Sequence, residues 1–243
     1  MEVIMRNTLI ILILTGLTSG ITHAKEVRIA SINQPTPRLA VSQNIMSQIY
    51  QRLGHSITLV NFPPKRSLIE ANNGAVNGEL ARSSLVAERY PNLIHIPYAI
   101  GTIKLVTLQT KNNPPIQQLA DLKEYRIGVL RGYALAEKMS KHLTREIYND
   151  LEGLFKALIH GRVDVVLFSK LGAEHFIRKF KLEDKLVISE KSFMEIPLYH
   201  YLHNNSANIA QALAAEMQKM QTTGELQDLI NTEEQSFLNT SKQ

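Results

Sequence analysis

Arg82 and Arg89 stand with Ser83 and Ser84 in the stretch from Asn77 to Tyr98, among residues that are otherwise largely apolar. This set suits the capture of a carboxylate. A guanidinium offers forked donors to both oxygens, and serine hydroxyls with free backbone N–H groups complete such a seat. Leu80, Leu85, Val86, Leu93, Ile94 and Ile96 are candidates for burial, so neither arginine is expected to be buried alone. A local carboxylate, Glu79 or Glu88, is the alternative partner for each.

Other chemistries find little support. His200 and His203 form a close pair, but residues three apart on a strand point to opposite faces, so no metal site is expected. The chain has no cysteine, which removes disulfides, thiolate nucleophiles, zinc–thiolate sites and the lipid-modified cysteine of a bacterial lipoprotein. It contains no Gly-x-Ser-x-Gly, His-Glu-x-x-His or Walker-type pattern. Glu70, Glu79 and Asp164 are read as solvated or structural carboxylates, with Asp164 marking a strand entry. No catalytic residue and no cofactor are expected.

Residues 1–24 read as an export signal. Arg6 supplies a positive start, Thr8 to Leu17 an apolar run, and Thr22-His23-Ala24 small residues for cleavage after Ala24. That run is well short of the roughly 18 to 20 residues a membrane span needs, so a periplasmic protein without an anchor is expected. The segment holds one acid, Glu2, and one base, Arg6, so its loss leaves the net charge at +5. The basic residues are scattered, without a long run and with little aromatic interleaving. Such a pattern favours solubility with a mild bias toward anionic ligands and argues against nucleic acid. Hydrophobic residues make up 44% of the chain, sufficient for two modest lobes or one large domain.

The elements that must position the arginines follow from hydrophobic spacing. Val27 to Ser31 alternates as a strand, Pro37 to Leu53 repeats at helical spacing with Gly54 as its stop, and Ile57 to Phe62 is a second strand. A short helix spans Arg66 to Ala71. Thr102 to Thr110 is long enough to cross between lobes, and Lys111-Asn112-Asn113-Pro114-Pro115 reads as a linker. The second half repeats the alternation: a strand from Arg126 to Leu130, a tight turn at Gly132, and a helix from Ala134 to Leu143, an arrangement that presents N–H groups to an anion. Asp150 is placed to cap a helix that stops at Gly161, Val163 to Phe168 is a buried strand, and Leu171 to Phe180 is a helix. Leu186 to Ser189 is a short strand and Glu195 to Leu202 a second crossing strand. Ser206 is placed to cap a helix that Gly224 separates from a last one ending near Phe237. Such alternation predicts a mostly parallel α/β architecture.

In order and spacing these signals resemble the bacterial extracellular solute-binding proteins of family 3, the type II periplasmic receptors for amino acids, over nearly the whole exported chain. Gly74-Ala75-Val76-Asn77-Gly78 is similar to the family's Gly/Lys-Lys-x-Asp-Ala/Gly strand, Ala81 to Ser84 to its serine-rich ligand turn, and Ala87-Glu88-Arg89 to its Thr-x-x-Arg segment. Ile96-Pro97-Tyr98 resembles the Phe-Ser/Thr-x-x-Tyr that follows. Leu119 to Lys123 with Arg126 to Gly132 resembles its second-lobe entry, Gly161-Arg162-Val163-Asp164 its later Gly-x-x-Asp, and the final helices about Gly224 its C-terminal signature.

The resemblance implies a two-lobed α/β fold with two crossing hinge strands: lobe 1 from 25–108 and 200–243, lobe 2 from 109–199. It implies a carboxylate gripped by Arg89 with help from Ser84. Apart from the resemblance, Arg82 and Arg66 are expected to add cations from lobe 1, and Gly132, Tyr133 and Ser169 to complete the seat from lobe 2. The resemblance also implies a membrane ABC permease as partner and a monomeric receptor. A dehydratase-like enzyme on the same fold and a ligand-presenting subunit for a sensor kinase are the alternatives. Three departures stand out. Ser169 occupies the position of the carboxylate that pairs with the ligand's α-ammonium, Arg82 replaces a small polar residue, and Gln34 to Arg38 lacks the aromatic cover, which Phe62, Tyr98 or Tyr133 would have to supply.

Overall fold

The computed structural model describes residues 25–240 apart from 35, 87, 114, 115 and 117. The expected export signal lies outside the described residues, and among them no helix is long and apolar enough to cross a membrane.

The first half opens with β1 (Lys25–Ile32), α1 (Pro37–Arg52), β2 (His55–Phe62), α2 (Pro64–Asn72) and β3 (Gly78–Arg82). Thr36 caps α1 through its hydroxyl, which accepts from Leu39 N at 3.3 Å, and Pro37 takes the first turn, where a missing N–H costs nothing. Val41, Ile45, Met46, Ile49 and Tyr50 then fall on one buried face, and Gly54 (φ 73°) takes the left-handed conformation after the helix end. From Leu93 to Thr110 runs β4, an unbroken 18 residues. The second half holds β5 (Ile127–Leu130), α3 (Ala134–Met139), β6 (Arg145–Tyr148), α4 (Leu151–Ile159), β7 (Val165–Ser169), α5 (Lys170–Lys179) and β8 (Leu186–Ile188). The chain returns along β9 (Met194–His203) and ends in α6 (Ala207–Thr223) and α7 (Glu225–Thr240), separated by Gly224 at φ 82°.

The strands form one sheet in the order β2-β1-β3-β9-β4-β7-β5-β6, with β8 also on β4. Strand β1 pairs in parallel with β2 and β3, and β5 in parallel with β6 and β7. Every pairing of β4 or β9 is antiparallel, so the sheet is mixed rather than mostly parallel. The reason is connectivity, since β4 and β9 cross between the halves in opposite directions. Directions follow from the pairings. Strands β1, β2 and β3 run with β4 and therefore point toward the second half, while β5, β6 and β7 run against β4 and point back. The carboxyl ends of the two parallel sets thus meet across one gap.

Each half has its own apolar interior, as a two-lobed fold requires. Ile29, Ile45, Ile49, Leu80, Leu202 and Leu213 belong to the first core, and on β4 that core reaches Ile103. From Leu105 onward β4 faces second-half cores built on Val129, Leu167, Leu154 and Phe168.

Four details differ from the sequence reading. Strand β4 starts at Leu93, nine residues before the expected Thr102, because bulges at His95/Ala99 and Ala99/Thr102 carry the ladder past Pro97 and Gly101. Helix α3 stops at Met139, four residues early, where Ser140 Oγ donates back to Ala136 O at 2.7 Å and Arg145 Nη1 donates to Glu137 O at 2.6 Å. The following β6 has no counterpart in the hydrophobic pattern, because it is a half-exposed edge strand of four residues. Ser206 does not cap α6 with its side chain, since its hydroxyl accepts from Asn77 Nδ2 at 3.1 Å and ties the last crossing to β3.

Gly78 lies where β1, β3 and β9 crowd together. A Cβ there would sit 2.1 Å from Tyr201 O and 2.9 Å from Leu202 Cδ2, and the first of these is backbone that cannot swing aside. Gly78→Ala is expected to lower stability by about 2 kcal/mol or more, as overpacking against a fixed strand does. Urea unfolding followed by circular dichroism checks this, and an unchanged midpoint would refute it.

Candidate functional site

Ligands of open α/β sheets bind beyond the carboxyl ends of the strands, and here two such edges face each other. Gln34, in the connection after β1, reaches across: its Nε2 lies 3.3 Å from where a Cβ on Gly132 would stand. Gly132 has φ 85°, a left-handed turn conformation that favours glycine, and the Gln34 amide lies close over it. Gln34 was legible in the sequence only for the aromatic residue it replaces.

On the first edge, Arg82 ends β3. Its Nε donates to Glu79 Oε1 at 2.8 Å, and its Nη2 donates to Ser67 Oγ at 2.6 Å and to Pro64 O at 3.0 Å. Glu79 is 1% exposed, so the ion pair is nearly buried on the acid side. Of the two local partners weighed for Arg82, Glu79 is the one it meets. Arg82 Nη1 makes no hydrogen bond to the described residues and is not sealed from solvent. Arg66 lies in the first turn of α2, largely exposed, and donates to Glu70 Oε1 at 3.1 Å along the helix.

Ser84 and Arg89 lie in the connection between β3 and β4. Ser84 opens a single turn of 3-10 helix, Ser84–Val86, and is exposed, while the preceding carbonyl, Ser83 O, accepts from Tyr201 OH at 3.0 Å. Arg89 is held by its backbone, N to Val86 O at 3.0 Å, and its exposed guanidinium has no partner among the described residues. Arg89 is thus available to a ligand in a way that Arg66 is not.

On the second edge, Tyr133 and Ser169 come together, Tyr133 OH lying 3.2 Å from Ser169 Oγ. The Tyr133 ring stacks on Phe168, with centroids 4.3 Å apart and planes 12° from parallel. Burial raises the Tyr133 phenol above its ordinary range, so it remains a hydroxyl donor. Ser169 precedes α5 without capping it, its hydroxyl being turned toward Tyr133 instead. The Gly132 N–H donates to Glu137 Oε1 at 2.8 Å, so this amide of the turn already has an acceptor. Of the aromatic residues considered as cover, Phe62 packs into a core beside α2 and Tyr98 against the first core. Tyr133 stands at the edge. A separate concavity of about 380 Å³ opens beside α1, lined by Ser31, Asn33, Thr36, Gln43 and Asn61 among others, and contains none of the candidate ligand residues.

The histidine pair has other employment. His200 is fully buried, with one ring nitrogen 2.9 Å from Tyr50 OH and the other 3.1 Å from Leu80 O, and burial pushes it down to about 4. His203 Nδ1 accepts from Asn205 N at 3.1 Å. Asp164 is the strand-entry residue expected, accepting from Arg126 N at 2.8 Å and pairing with its guanidinium at 2.6 Å.

No protein-family model matches the sequence. The chain has the type II periplasmic binding fold. It matches an arginine-bound amino-acid ABC transporter substrate-binding protein, AbpA of Streptococcus pneumoniae, over 88% of this chain and 96% of that one, at 17% identity and a TM-score of 0.61. A histidine kinase sensor domain similar to periplasmic binding proteins matches over 86% and 96%, at 13% identity and a TM-score of 0.63. By sequence, an uncharacterized protein of Shewanella oneidensis is 22% identical over 186 residues, 74% of this chain and 70% of the relative.

Burial raises the Glu79 carboxyl to about 7 against the opposing pull of Arg82. A carboxyl raised in the folded state gives stability that is complete below its ordinary value near 4.5 and is lost as pH rises through 7. His200 acts in the opposite sense below 6.5, where the unfolded ring takes the proton that the buried ring refuses. His95 and His175, whose rings burial also lowers, act with His200, so the Glu79 effect between pH 6.5 and 8, on the order of 1 kcal/mol, is read as the difference between the wild type and a variant without the acid. Thermal denaturation across this window is expected to show the stability of Glu79→Gln rising with pH relative to that of the wild type; equal slopes would contradict the assignment.

Proposed function

We propose that this is an exported solute-binding protein that closes on a small carboxylate-bearing solute, an amino acid or a related organic acid, and hands it to a membrane ABC permease. Export rests on the signal-like residues 1–24. Lobe 1 comprises 25–108 and 200–243, lobe 2 comprises 109–199, and the lobes turn about the crossing strands. Ligand contacts from both edges favour the closed arrangement, so the ligand shifts a hinge equilibrium by its extra affinity for that state. The receptor acts as a monomer.

The observation that carries this reading is the cationic first edge, with Arg89 and Arg82 Nη1 unclaimed, set against the Tyr133–Ser169 hydroxyl pair of the second. Arg89 grips the carboxylate, Ser84 and Arg82 assist, and Arg66 adds positive potential. Tyr133 and Ser169 complete the seat from lobe 2, at a turn that Gly132 shapes while its own amide is committed to Glu137. Ser169 gives no charge to an α-ammonium, which favours acids whose amine is absent or placed elsewhere. The amino-acid receptor among the structural neighbours supports the ligand class. A second reading, a receptor that presents its closed form to a sensor kinase, is favoured by the sensor-domain neighbour; copurification with a kinase ectodomain rather than a permease would single it out.

A thermal-shift screen of L-arginine, L-glutamate, succinate and lactate tests the ligand class. A ligand at a hundred times its dissociation constant adds about 2.7 kcal/mol. Stabilisation by the α-amino acids alone would contradict the weight placed on Ser169. For the acid that binds, Arg89→Ala is expected to weaken affinity roughly ten- to a hundredfold, as loss of a charge-assisted bond does. Unchanged affinity by calorimetry would move the site elsewhere.

A further inference from the structure

Glu79 and Arg82 are three residues apart on β3, a spacing that in a regular strand sends side chains to opposite faces. The ladder to β9 is irregular between them: Glu79 pairs with Tyr201 and Arg82 with Tyr199, so three steps on β3 oppose two on β9. This bulge turns both side chains toward α2, where the guanidinium reaches Glu79 Oε1 and Ser67 Oγ. The other carboxylate oxygen, Glu79 Oε2, is sealed from solvent and has no hydrogen-bond partner among the described residues. An ionised carboxylate in that position is held by the charge of Arg82, with the Ser67 hydroxyl beside it as a lesser support.

Among the described residues no second cation pairs with Glu79. Ala30 lies beside Glu79 on β1 and Tyr201 on β9. Tyr199 pairs with Arg82 itself, and His95 on β4 lies beyond these rings, 4.4 Å from Tyr199 and 5.1 Å from Tyr201 between centroids. Burial lowers the His95 imidazole, so it is neutral near pH 7. From α2, Ser67 meets the pair, while Arg66 and Glu70 bond to each other. The first edge therefore carries a cation whose charge is cancelled or released by the state of one hidden acid.

We propose that Glu79 is the proton-linked counterion of the ligand site: a ligand carboxylate reaching Arg82 Nη1 competes with Glu79 for the guanidinium, and Glu79 takes up a proton from solvent as the ligand binds. The inference rests on the carboxylate reading of the site. Two carboxylates sharing one guanidinium repel, and the hidden one, with an unpartnered oxygen, is the one to neutralise. Protonated Glu79 still accepts from Arg82 Nε through its carbonyl oxygen, so the hydrogen bond survives and the positive charge passes to the ligand. By reciprocity, whatever makes the ligand raise proton affinity makes acid raise ligand affinity.

The test is titration calorimetry with the tightest binder among L-arginine, L-glutamate, succinate and lactate. Run at pH 7 in phosphate and in Tris, whose ionisation heats differ, it counts the protons exchanged. The expected result is net uptake of roughly half a proton per ligand and about fivefold weaker binding at pH 8 than at pH 6. Both effects are expected to vanish in Glu79→Gln. Uptake that persists in Glu79→Gln, or wild-type affinity equal at pH 6 and pH 8, overturns the linkage and leaves the carboxylate site standing. Should Glu79→Gln not fold, the wild-type proton count and pH dependence decide alone. Binding of none of the four acids overturns the carboxylate reading and this inference with it.

Discussion

The antiparallel pair β4 and β9 is the constraint on which the rest of this structure depends. These two strands are shared by both halves of the sheet and run against each other, so the parallel strands on either side are forced to point their carboxyl ends at the same gap. Neither half alone encloses a site. Gln34 approaches Gly132 because β1 and β5 end opposite each other, a consequence of strand direction rather than of any attraction between the two residues. The β4–β9 ladder is irregular within the first half, with two bulges between His95 and Thr102 and Gly101 at φ 148° against the Arg38 guanidinium, and regular from Thr102 to Leu105, where the strands pass from one core to the other.

Electrostatics at the first edge are governed by a change of one residue in register. Without the bulge in β3, Arg82 and Glu79 would lie on opposite faces, leaving a buried acid without a cation. With it, the acid is tethered, Ser67 anchors the guanidinium to α2, and the cation retains one unclaimed nitrogen. Arg89 differs in kind, because it stands free on a connection that its backbone fixes. One arginine is thus tethered to an acid and a helix, while the other has no side-chain partner among the described residues. Across the gap the partners are hydroxyls carried on a stacked aromatic pair, which offers hydrogen bonds without charge.

Much of this was legible in the residues. Helical spacing gave α1, α4, α5 and α6 nearly to their ends, because apolar positions at three- and four-residue intervals leave one solution for burial. Asp150 was readable as a cap and Asp164 as a strand entry, since both act within a few bonds of their own backbone or on one nearby partner. The His200 and His203 side chains were correctly separated by strand periodicity. The α/β class and the two crossing strands followed from the order of the elements.

What the residues could not reveal is where contacts depend on parts of the chain far apart. Strand β6 has no hydrophobic signature because an edge strand buries little, and it exists through pairing with β5. Ser206 looked like a helix cap until Asn77, 129 positions away, claimed its hydroxyl. The partner of Arg82 was one of two candidates until the bulge against Tyr199 and Tyr201 chose Glu79. Local rules of spacing and capping are written in neighbouring residues, so the sequence alone determined the amphipathic helices, the buried strands and the identity of the cations. Strand direction, register and burial are properties of pairs distant along the chain, so only the tertiary structure decided that two edges meet, and that Arg82 rather than Arg89 is tied to a buried acid.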